Sequence, residues 1–160
     1  QRITKTLSQH QCDSLAAPST VQELEEVVKK GKKGKSPGED GLPLEFYQAC
    51  WHFIGPLLTL IACDTMAGHA LPEEMVFARI ALIPKSTQPA PRSSKFRPIS
   101  LLNVDYKIIA AAIAHRMCDT LEHLVDELQT GFVPGRLILE NITFFNRDLL
   151  DYCDDIGSPL

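Results

Sequence analysis

Apolar residues recur along much of this chain at the three- and four-residue steps of amphipathic helices. The first such run, residues 21–28, follows Thr20, which opens a capping box, and Gly31 marks its end. Pro43 suits the first turn of a longer helix, whose apolar face we expect to break or kink at Gly55-Pro56. The first half of the chain is therefore predicted to be mainly helical.

Two short apolar runs without a helical period lie in the middle of the chain. Residues 76–83 are predicted to form a buried strand and residues 96–102 a second strand, with a Pro/Ser/Thr-rich loop over 86–94. Helical spacing returns over residues 104–125 and again over 138–152, with a Gly- and Pro-containing loop between the two helices. The predicted fold class is α+β, mostly helical with a few short strands.

Charge is distributed unevenly along the 160 residues, although the formal net charge is only −4. Residues 29–35 contain five lysines and no acid, and residues 79–116 contain seven basic residues against Asp105 alone. Residues 119–155 contain nine acids against two arginines. This pattern predicts a local cationic surface, and it excludes a protein that binds nucleic acid through a uniformly basic surface.

The five cysteines are odd in number and widely spaced, so we expect free thiols in a reducing, intracellular compartment, the nucleus or the cytoplasm. No signal peptide is visible at the start, which opens with Gln1, and the protein is not expected to be secreted. The longest apolar stretch, residues 53–63, is too short to span a bilayer, which takes about 20 residues. No membrane association is therefore predicted.

Several short motifs are better explained by ordinary structure than by chemistry. Residues 31–36 have too few residues between their glycines for a phosphate-binding P-loop and are predicted to be a mobile basic loop, which can contact phosphate backbones non-specifically. The cysteines and histidines form no recognisable zinc spacing. Tyr152-Cys153-Asp154-Asp155 matches a polymerase metal motif, but a helix is predicted where that motif requires a hairpin. No metal ligands and no catalytic residues are therefore assigned.

Lys85, Arg97 and Arg136 each lie beside Pro or Gly in a short loop next to an apolar segment. Each could be a solvated surface charge. Two of them follow or open strand-like segments in the cation-rich region, and fixed cations suit a polyanion such as a nucleoside triphosphate, because guanidinium binds phosphate in a bidentate manner and lysine adds a point charge.

A series of ordered motifs narrows this interpretation. The series resembles the reverse transcriptase of LINE-type non-LTR retrotransposons over roughly residues 33–145. Its five members are Lys35–Pro43 followed by Glu45-Phe46-Tyr47, then Leu82–Lys85, Phe96–Asn103, Asp105-Tyr106-Lys107, and last Gln129–Arg136 ending in Asn141-Ile142. Five motifs in order carry far more weight than any one of them alone.

The resemblance implies specific roles. The matched region would be the fingers and the start of the palm of a polymerase-type right hand, with Lys85 and Arg97 as nucleotide-binding residues. The loop of Gln129, Gly131, Phe132 and Arg136 is expected to contact the template or the nucleotide. Lys32, Lys33 and Lys35 are expected to contact the nucleic-acid backbone. In the family, a lysine often stands at the position of Ala111.

The resemblance also implies what this chain lacks. The catalytic aspartates of the family would follow beyond residue 160, as would the thumb. An RNA template and a DNA primer are the expected partners, and Mg²⁺ and deoxynucleoside triphosphates the expected cofactors of the intact parent, with none held by this chain alone. Residues 1–18 are predicted to be an N-terminal arm, residues 19–34 a helix and basic loop, and residues 35–160 a partial reverse transcriptase domain.

Three functions remain open at this stage. The chain is interpreted first as a fragment of an RNA-directed DNA polymerase, inactive by itself because phosphoryl transfer needs metal-binding carboxylates. The alternatives are a non-catalytic nucleic-acid-binding remnant and a decayed retroelement fragment without activity. A partial palm would also leave the apolar faces of the last two helices uncovered, which predicts poor solubility or self-association.

Overall fold

The computed structural model describes residues 6–85, 96–126, 128–131, 133 and 135–155. They form a mostly helical structure with one two-stranded antiparallel sheet, which confirms the predicted α+β class. In chain order the elements are α1 (Gln9–Ala16), α2 (Val21–Lys30), α3 (Leu44–Met66), α4 (Glu73–Val76), β1 (Ala78–Pro84), β2 (Phe96–Leu102), α5 (Val104–Leu124) and α6 (Ile138–Asp155).

The chain divides into two compact units, and the boundary falls inside α5. The core unit is Ala16–Ala114, and the terminal unit combines Gln1–Leu15 with His115–Leu160. The core unit contains the main hydrophobic cluster, contributed by α2, α3, α4 and the first half of α5. Its buried members are Leu24, Val28, Tyr47, Trp51, Leu58, Ala62, Met75, Val104, Ile108, Ile109 and Ala112.

Helix α2 begins and ends as its sequence predicts. The Thr20 hydroxyl accepts the Glu23 N–H at 3.2 Å, and the Glu23 carboxylate accepts the Thr20 N–H at 2.8 Å. This reciprocal pair satisfies two of the backbone donors that a helix start leaves without partners. The helix ends at Gly31, and its apolar side buries Leu24 and Val28.

Helix α3 continues through Gly55-Pro56, so a break at this position is wrong, while a kink there stays a prediction. Proline removes one backbone hydrogen bond, but buried side chains on both sides of it hold the helix against the core unit. These side chains share one face and are Tyr47, Trp51, Leu58 and Ala62. Gly55 is required here because a Cβ at this position would lie 2.7 Å from Cε2 of the Trp51 indole.

Helix α3 has 23 residues and contains an 18-residue window with a mean hydropathy of 1.3, so it is long and apolar enough to cross a membrane by length and composition. The argument based on the shorter stretch 53–63 therefore does not apply to the whole helix. Core helices of soluble proteins meet the same criterion, and α3 supplies buried residues to the core unit. The absence of membrane association stays a prediction.

The antiparallel hairpin of β1 and β2 is less buried than its sequence predicts. Residues 76–83 were expected to be a buried strand, but Val76 ends α4, and most of β1 is exposed. The hairpin's exposed apolar side chains are Ile80, Leu82, Ile83 and Ile99. Hydrophobic composition favours a strand here, while burial needs a second layer, and no helix of the core unit covers these side chains.

The terminal unit contains α1, the second half of α5, and α6. Residues 9–16 are helical within the predicted arm, although α1 has no buried residue. The predicted uncovered apolar face is confirmed on α6, whose exposed side chains include Ile138, Leu139, Ile142, Phe145, Leu150 and Tyr152. Residues 152–155 lie within α6, so this Tyr-x-Asp-Asp sequence is helical and does not form the turn of a hairpin.

Candidate functional site

The register of the hairpin brings two of the predicted nucleotide-binding residues together. Arg97 on β2 pairs with Ile83 on β1, and Lys85 follows Ile83 by two residues. Lys85 directly follows Pro84, the last residue of β1, and Arg97 is the second residue of β2, so both cations lie at the end of the hairpin where β1 stops and β2 starts. Both side chains are exposed, and Arg97 forms no hydrogen bond or ion pair with the described residues. The guanidinium-bearing Arg97 and the ammonium-bearing Lys85 therefore lie at the same end of the hairpin.

A third cation, Arg79, lies on the same face of the hairpin as Arg97. Arg79 pairs with Leu101, four residues along β1 from Ile83, which places it roughly 13 Å from Arg97. Its guanidinium lies 4.0 Å from the Glu39 carboxylate, and both side chains are exposed. Such a pair contributes little to stability, but it gives Arg79 a charge partner that Arg97 lacks among the described residues.

The five lysines of residues 29–35 separate into two groups. Lys29 and Lys30 belong to α2 and form i,i+4 ion pairs with Glu25 and Glu26, at 2.8 and 3.0 Å. The other three lysines lie in the loop between α2 and α3 and have no ion pair within the described part of the chain. They are Lys32, Lys33 and Lys35, the residues predicted to contact a nucleic-acid backbone.

The lysine loop is attached to the first turn of α3. The Gly34 N–H donates to the Glu45 carboxylate at 2.7 Å. This hydrogen bond is the main cause of a lowered pKa at Glu45, and the positive charge of Lys33 adds to it. Gly34 adopts a positive φ of 70°, which lets the loop turn toward the helix. The loop lysines are thus carried by a defined backbone.

Two lysines of this loop line a cavity of about 300 Å³ together with Lys107 of α5. Lys107 was quoted as part of a motif, but it was not among the predicted site residues. Its approach to Lys32 and Lys35 results from packing of α5 against the lysine loop and the start of α3, and the 71 residues between Lys35 and Lys107 carry no local signal for it. Lys33 lies away from this cavity, beside Trp51 and Gln48.

Asn103, which precedes α5, fixes the segment that follows the lysine loop. Its side-chain oxygen accepts the Glu39 N–H at 2.9 Å, and its amide donates to the Glu74 carbonyl at 3.0 Å. Asn103 is buried, so these partners satisfy polar atoms that could not reach water. Gly38 lies directly against it. Residues 35–41, the first part of the Lys35–Pro43 motif, are thereby joined to the end of β2.

Asp105, which is half-buried, and the buried Tyr47 form a polar cluster beside this junction. Burial raises the pKa of Asp105 above its ordinary 3.8, and the charge of Asp40 adds to the rise, while a 2.6 Å hydrogen bond from the Tyr106 N–H opposes it. Burial also raises the pKa of the Tyr47 hydroxyl, with contributions from the charges of Asp105 and Asp40. The cluster therefore disfavours negative charge.

Asp105→Asn should stabilise the protein at about pH 7 and lose that advantage on acidification. The folded protein holds a proton on Asp105 at a higher pH than the unfolded chain does. The contribution of Asp105 to folding is therefore favourable below about pH 3.8 and is lost as the pH rises through the raised pKa. Asparagine keeps an oxygen for the Tyr106 N–H. Urea unfolding of both proteins at about pH 3.5 and pH 7 tests this expectation, and a variant that is less stable at both values contradicts it.

In the terminal unit, Arg136 is engaged by the backbone around the end of α5. Its guanidinium donates to the carbonyls of Asp126, Gln129 and Val125, the last two at 2.9 and 3.4 Å. A cation at this position satisfies carbonyls that a helix end leaves without partners. The geometry gives Arg136 a role in shaping the loop, and its contact with template or nucleotide stays a prediction.

The loop around Gln129 is further held by local hydrogen bonds. Gln129 donates from its side-chain amide to the Gly131 carbonyl at 3.0 Å. Asn141 of α6 donates to the hydroxyl of Thr130, which is buried, at 3.1 Å. The predicted contact residue Phe132 lies outside the described residues. Asn141, which belongs to the end of the last motif, thus holds the loop from within the protein.

Comparison with known proteins gives two relatives. The chain is 34% identical over 154 residues, 96% of its length, to the Transposon TX1 uncharacterized 149 kDa protein of Xenopus laevis. It is 29% identical over 140 residues, 86% of its length, to the Probable RNA-directed DNA polymerase from transposon BS of Drosophila melanogaster.

The chain is distantly related to transposon proteins. It spans only 12% and 16% of the lengths of these two relatives. No protein-family model matches the chain. The similarity therefore supports the resemblance to a reverse transcriptase.

Magnesium is the cofactor that the resemblance implies for the parent polymerase. Among the residues that the structure describes, no three His, Cys, Asp or Glu side chains come together in a way that could hold a metal ion. Asp40 and Asp105 interact through their charges, but they lie beside the buried Tyr47 hydroxyl. We therefore assign no step of the chemistry to a metal bound by these residues.

Proposed function

We propose that this chain is the part of a retrotransposon RNA-directed DNA polymerase that binds the incoming nucleotide and the nucleic-acid backbone. The observation that carries the proposal is the hairpin register, which places Arg97 beside Lys85 in a relative of transposon proteins. In this assignment the hairpin belongs to the fingers, and the segment beyond it leads into the palm.

The hairpin cations would act on the triphosphate of an incoming deoxynucleotide. Arg97 would bind non-bridging phosphate oxygens through two N–H groups, and Lys85 would neutralise a neighbouring phosphate. Phosphoryl transfer relies on positioning and on charge stabilisation, both of which fixed cations supply. The carboxylates that hold catalytic metal ions would come from other parts of the polymerase, and the partners would be an RNA template and a DNA primer.

The loop lysines would contact the phosphate backbone of the nucleic acid. Each phosphate contact releases counterions, so binding should weaken with salt. Lys32, Lys33 and Lys35 suit this role because they are exposed and have no ion pair among the described residues. Neutralising them should reduce the salt dependence more than neutralising Lys29 and Lys30, whose charges are paired with acids of α2.

Arg97→Ala should reduce kcat/KM for deoxynucleotides about 100-fold, which corresponds to roughly 2.7 kcal/mol of lost phosphate binding. The assay is primer extension on an RNA template by a longer polypeptide that continues from this chain through the downstream reading frame. The matched control is Arg79→Ala, which removes the same side chain from the same face roughly 13 Å away and should change the rate less than about threefold.

Equal losses in the two arginine variants would contradict the assignment of Arg97. The 160-residue chain without added sequence should be inactive in the same assay. Primer extension by this chain alone would overturn the view that the metal-binding carboxylates lie elsewhere, and would require acids such as Asp40 and Asp105 to be reconsidered as ligands.

A further inference from the structure

The cavity between the lysine loop and α5 has an apolar wall, which contact with a phosphate backbone alone does not require. Its wall is mainly aliphatic, while its polar lining comes from the lysine loop and α5. The residues that line it within the core unit are Val27, Gly31, Lys32, Lys35, Ser36, Leu44, Val104, Lys107, Ile108 and Ala111. An electrostatic contact with phosphates would need only the lysines, because phosphates are bound at exposed surfaces.

The charge around the cavity is of one sign. Three lysines line it and no acidic residue does, and none of the three forms an ion pair with the described residues. Lys107 is partly buried beside Ile108, so its ammonium group is confined more closely than those of Lys32 and Lys35. The cavity therefore favours an anion whose uncharged part can cover the aliphatic wall.

We propose that this cavity binds one nucleotide of a single-stranded nucleic acid. Its phosphate would lie among Lys32, Lys35 and Lys107, and its base would pack against the partly exposed apolar side chains of the wall, Val27, Leu44 and Ala111. A volume of about 300 Å³ is at the lower end of ligand pockets, so it suits one nucleotide unit. The proposal rests on the proposed function, which supplies the nucleic acid.

Only an unpaired strand could place a base there, because the bases of a duplex are stacked and paired. Strand binding of this type combines cations that follow the backbone with apolar surfaces that cover base faces, and it tolerates any sequence. The site would hold the strand away from the hairpin cations, which act on the nucleotide triphosphate. The site would thereby determine the path of the strand as well as neutralise its phosphates.

Ala111 gives the test its sharpest variant. Its small side chain lines the cavity one helical turn after Lys107. Ala111→Leu adds bulk to the wall and leaves every charge in place, so it should block a base without altering the attraction to phosphates. Lys107→Gln removes a charge from the cavity and leaves its aliphatic wall in place. The matched charge control is Lys30→Gln, since Lys30 does not line the cavity and pairs with Glu26.

The experiment measures binding of a fluorescently labelled 12-nucleotide oligothymidylate and of an abasic strand of the same length, by anisotropy over a range of salt concentrations. The wild-type protein should bind the oligothymidylate about tenfold more tightly than the abasic strand, a difference of about 1.4 kcal/mol. Ala111→Leu should bind both strands equally. Lys107→Gln should reduce the salt slope by about 0.7 and Lys30→Gln by much less. Trp51 fluorescence verifies that each variant is folded.

Three results would overturn the proposal. Equal binding of the two strands by the wild-type protein would leave only a backbone contact. Unchanged discrimination in a folded Ala111→Leu protein would place the base elsewhere. Displacement of the strand by decanoate but not by thymidine monophosphate would indicate a site for an alkyl carboxylate. None of these results bears on Arg97 in primer extension, so failure of this inference and failure of the proposed function are distinguishable.

Discussion

Gly38→Ala should lower the free energy of unfolding of the core unit by about 3 kcal/mol or more. A Cβ at Gly38 would lie 2.5 Å from the Asn103 backbone nitrogen and 2.6 Å from its Cα, and it would overlap the side-chain oxygen. Backbone atoms cannot move aside as a flexible side chain can. The hydrogen bond that the Asn103 side chain accepts from the Glu39 N–H and the one that it donates to the Glu74 carbonyl would be lost together.

Urea unfolding followed by fluorescence measures this loss, because the single tryptophan, Trp51, belongs to the core unit. The expected fall in Tm is roughly 12–24 °C for a unit of this size. The control is Gly131→Ala, where the new Cβ meets only the Gln129 amide nitrogen at 3.8 Å, an ordinary contact. If both variants unfold alike, the close approach of Gly38 to Asn103 is wrong, and with it our explanation of the Lys35–Pro43 motif.

Leu24→Ala should destabilise the core unit by about 3–4 kcal/mol. Leu24 has no exposed surface and lies in the main cluster with Val28 and Ile108. The truncation removes apolar contacts and leaves a cavity that the surrounding helices fill only in part. The matched control is Leu57→Ala on α3, since Leu57 is 63% exposed and should lose less than about 1 kcal/mol.

Both variants are measured by the same fluorescence-monitored unfolding. Similar losses at Leu24 and Leu57 would mean that α2 is not packed as described. The third sequence-based hypothesis, a decayed fragment with marginal folding, predicts that the wild-type protein unfolds without a cooperative transition. Neither substitution would then have a defined effect on the free energy of unfolding. A cooperative transition that Leu24→Ala shifts and Leu57→Ala does not would argue against that hypothesis.

The motifs that suggested a polymerase serve two physical purposes in this structure. Some of their residues hold the fold, as Asn103 does for the segment around Gly38 and Arg136 does for the carbonyls near the end of α5. Others present cations without a charge partner among the described residues, as Arg97 does on the hairpin. The sequence pattern alone does not separate the two groups, because the same residue types serve both purposes.

Local sequence determined the elements of this protein to a large extent. The capping box at Thr20, the stop at Gly31 and the strand 96–102 depend on neighbouring residues, and the structure confirms them. Helical spacing over 104–125 predicted α5 to within one residue. The failures arose where packing decides: α3 crosses Pro56 because buried side chains on both sides hold it, and β1 is exposed because no helix of the core unit covers it.

The sequence by itself determined helices α2, α3, α5 and α6, the two strands, the α+β class and the identity of the candidate cations, since these follow from local periodicity, capping and composition. Helix α1 lies in the predicted arm, and α4 ends at Val76, where a strand was predicted. Only the tertiary structure decided which cations act together. Antiparallel register put Arg97 beside Lys85, and packing of α5 against the lysine loop put Lys107 with Lys32 and Lys35. Contacts between residues far apart in the chain depend on how helices and strands bury their surfaces against each other, and local sequence carries no record of that arrangement.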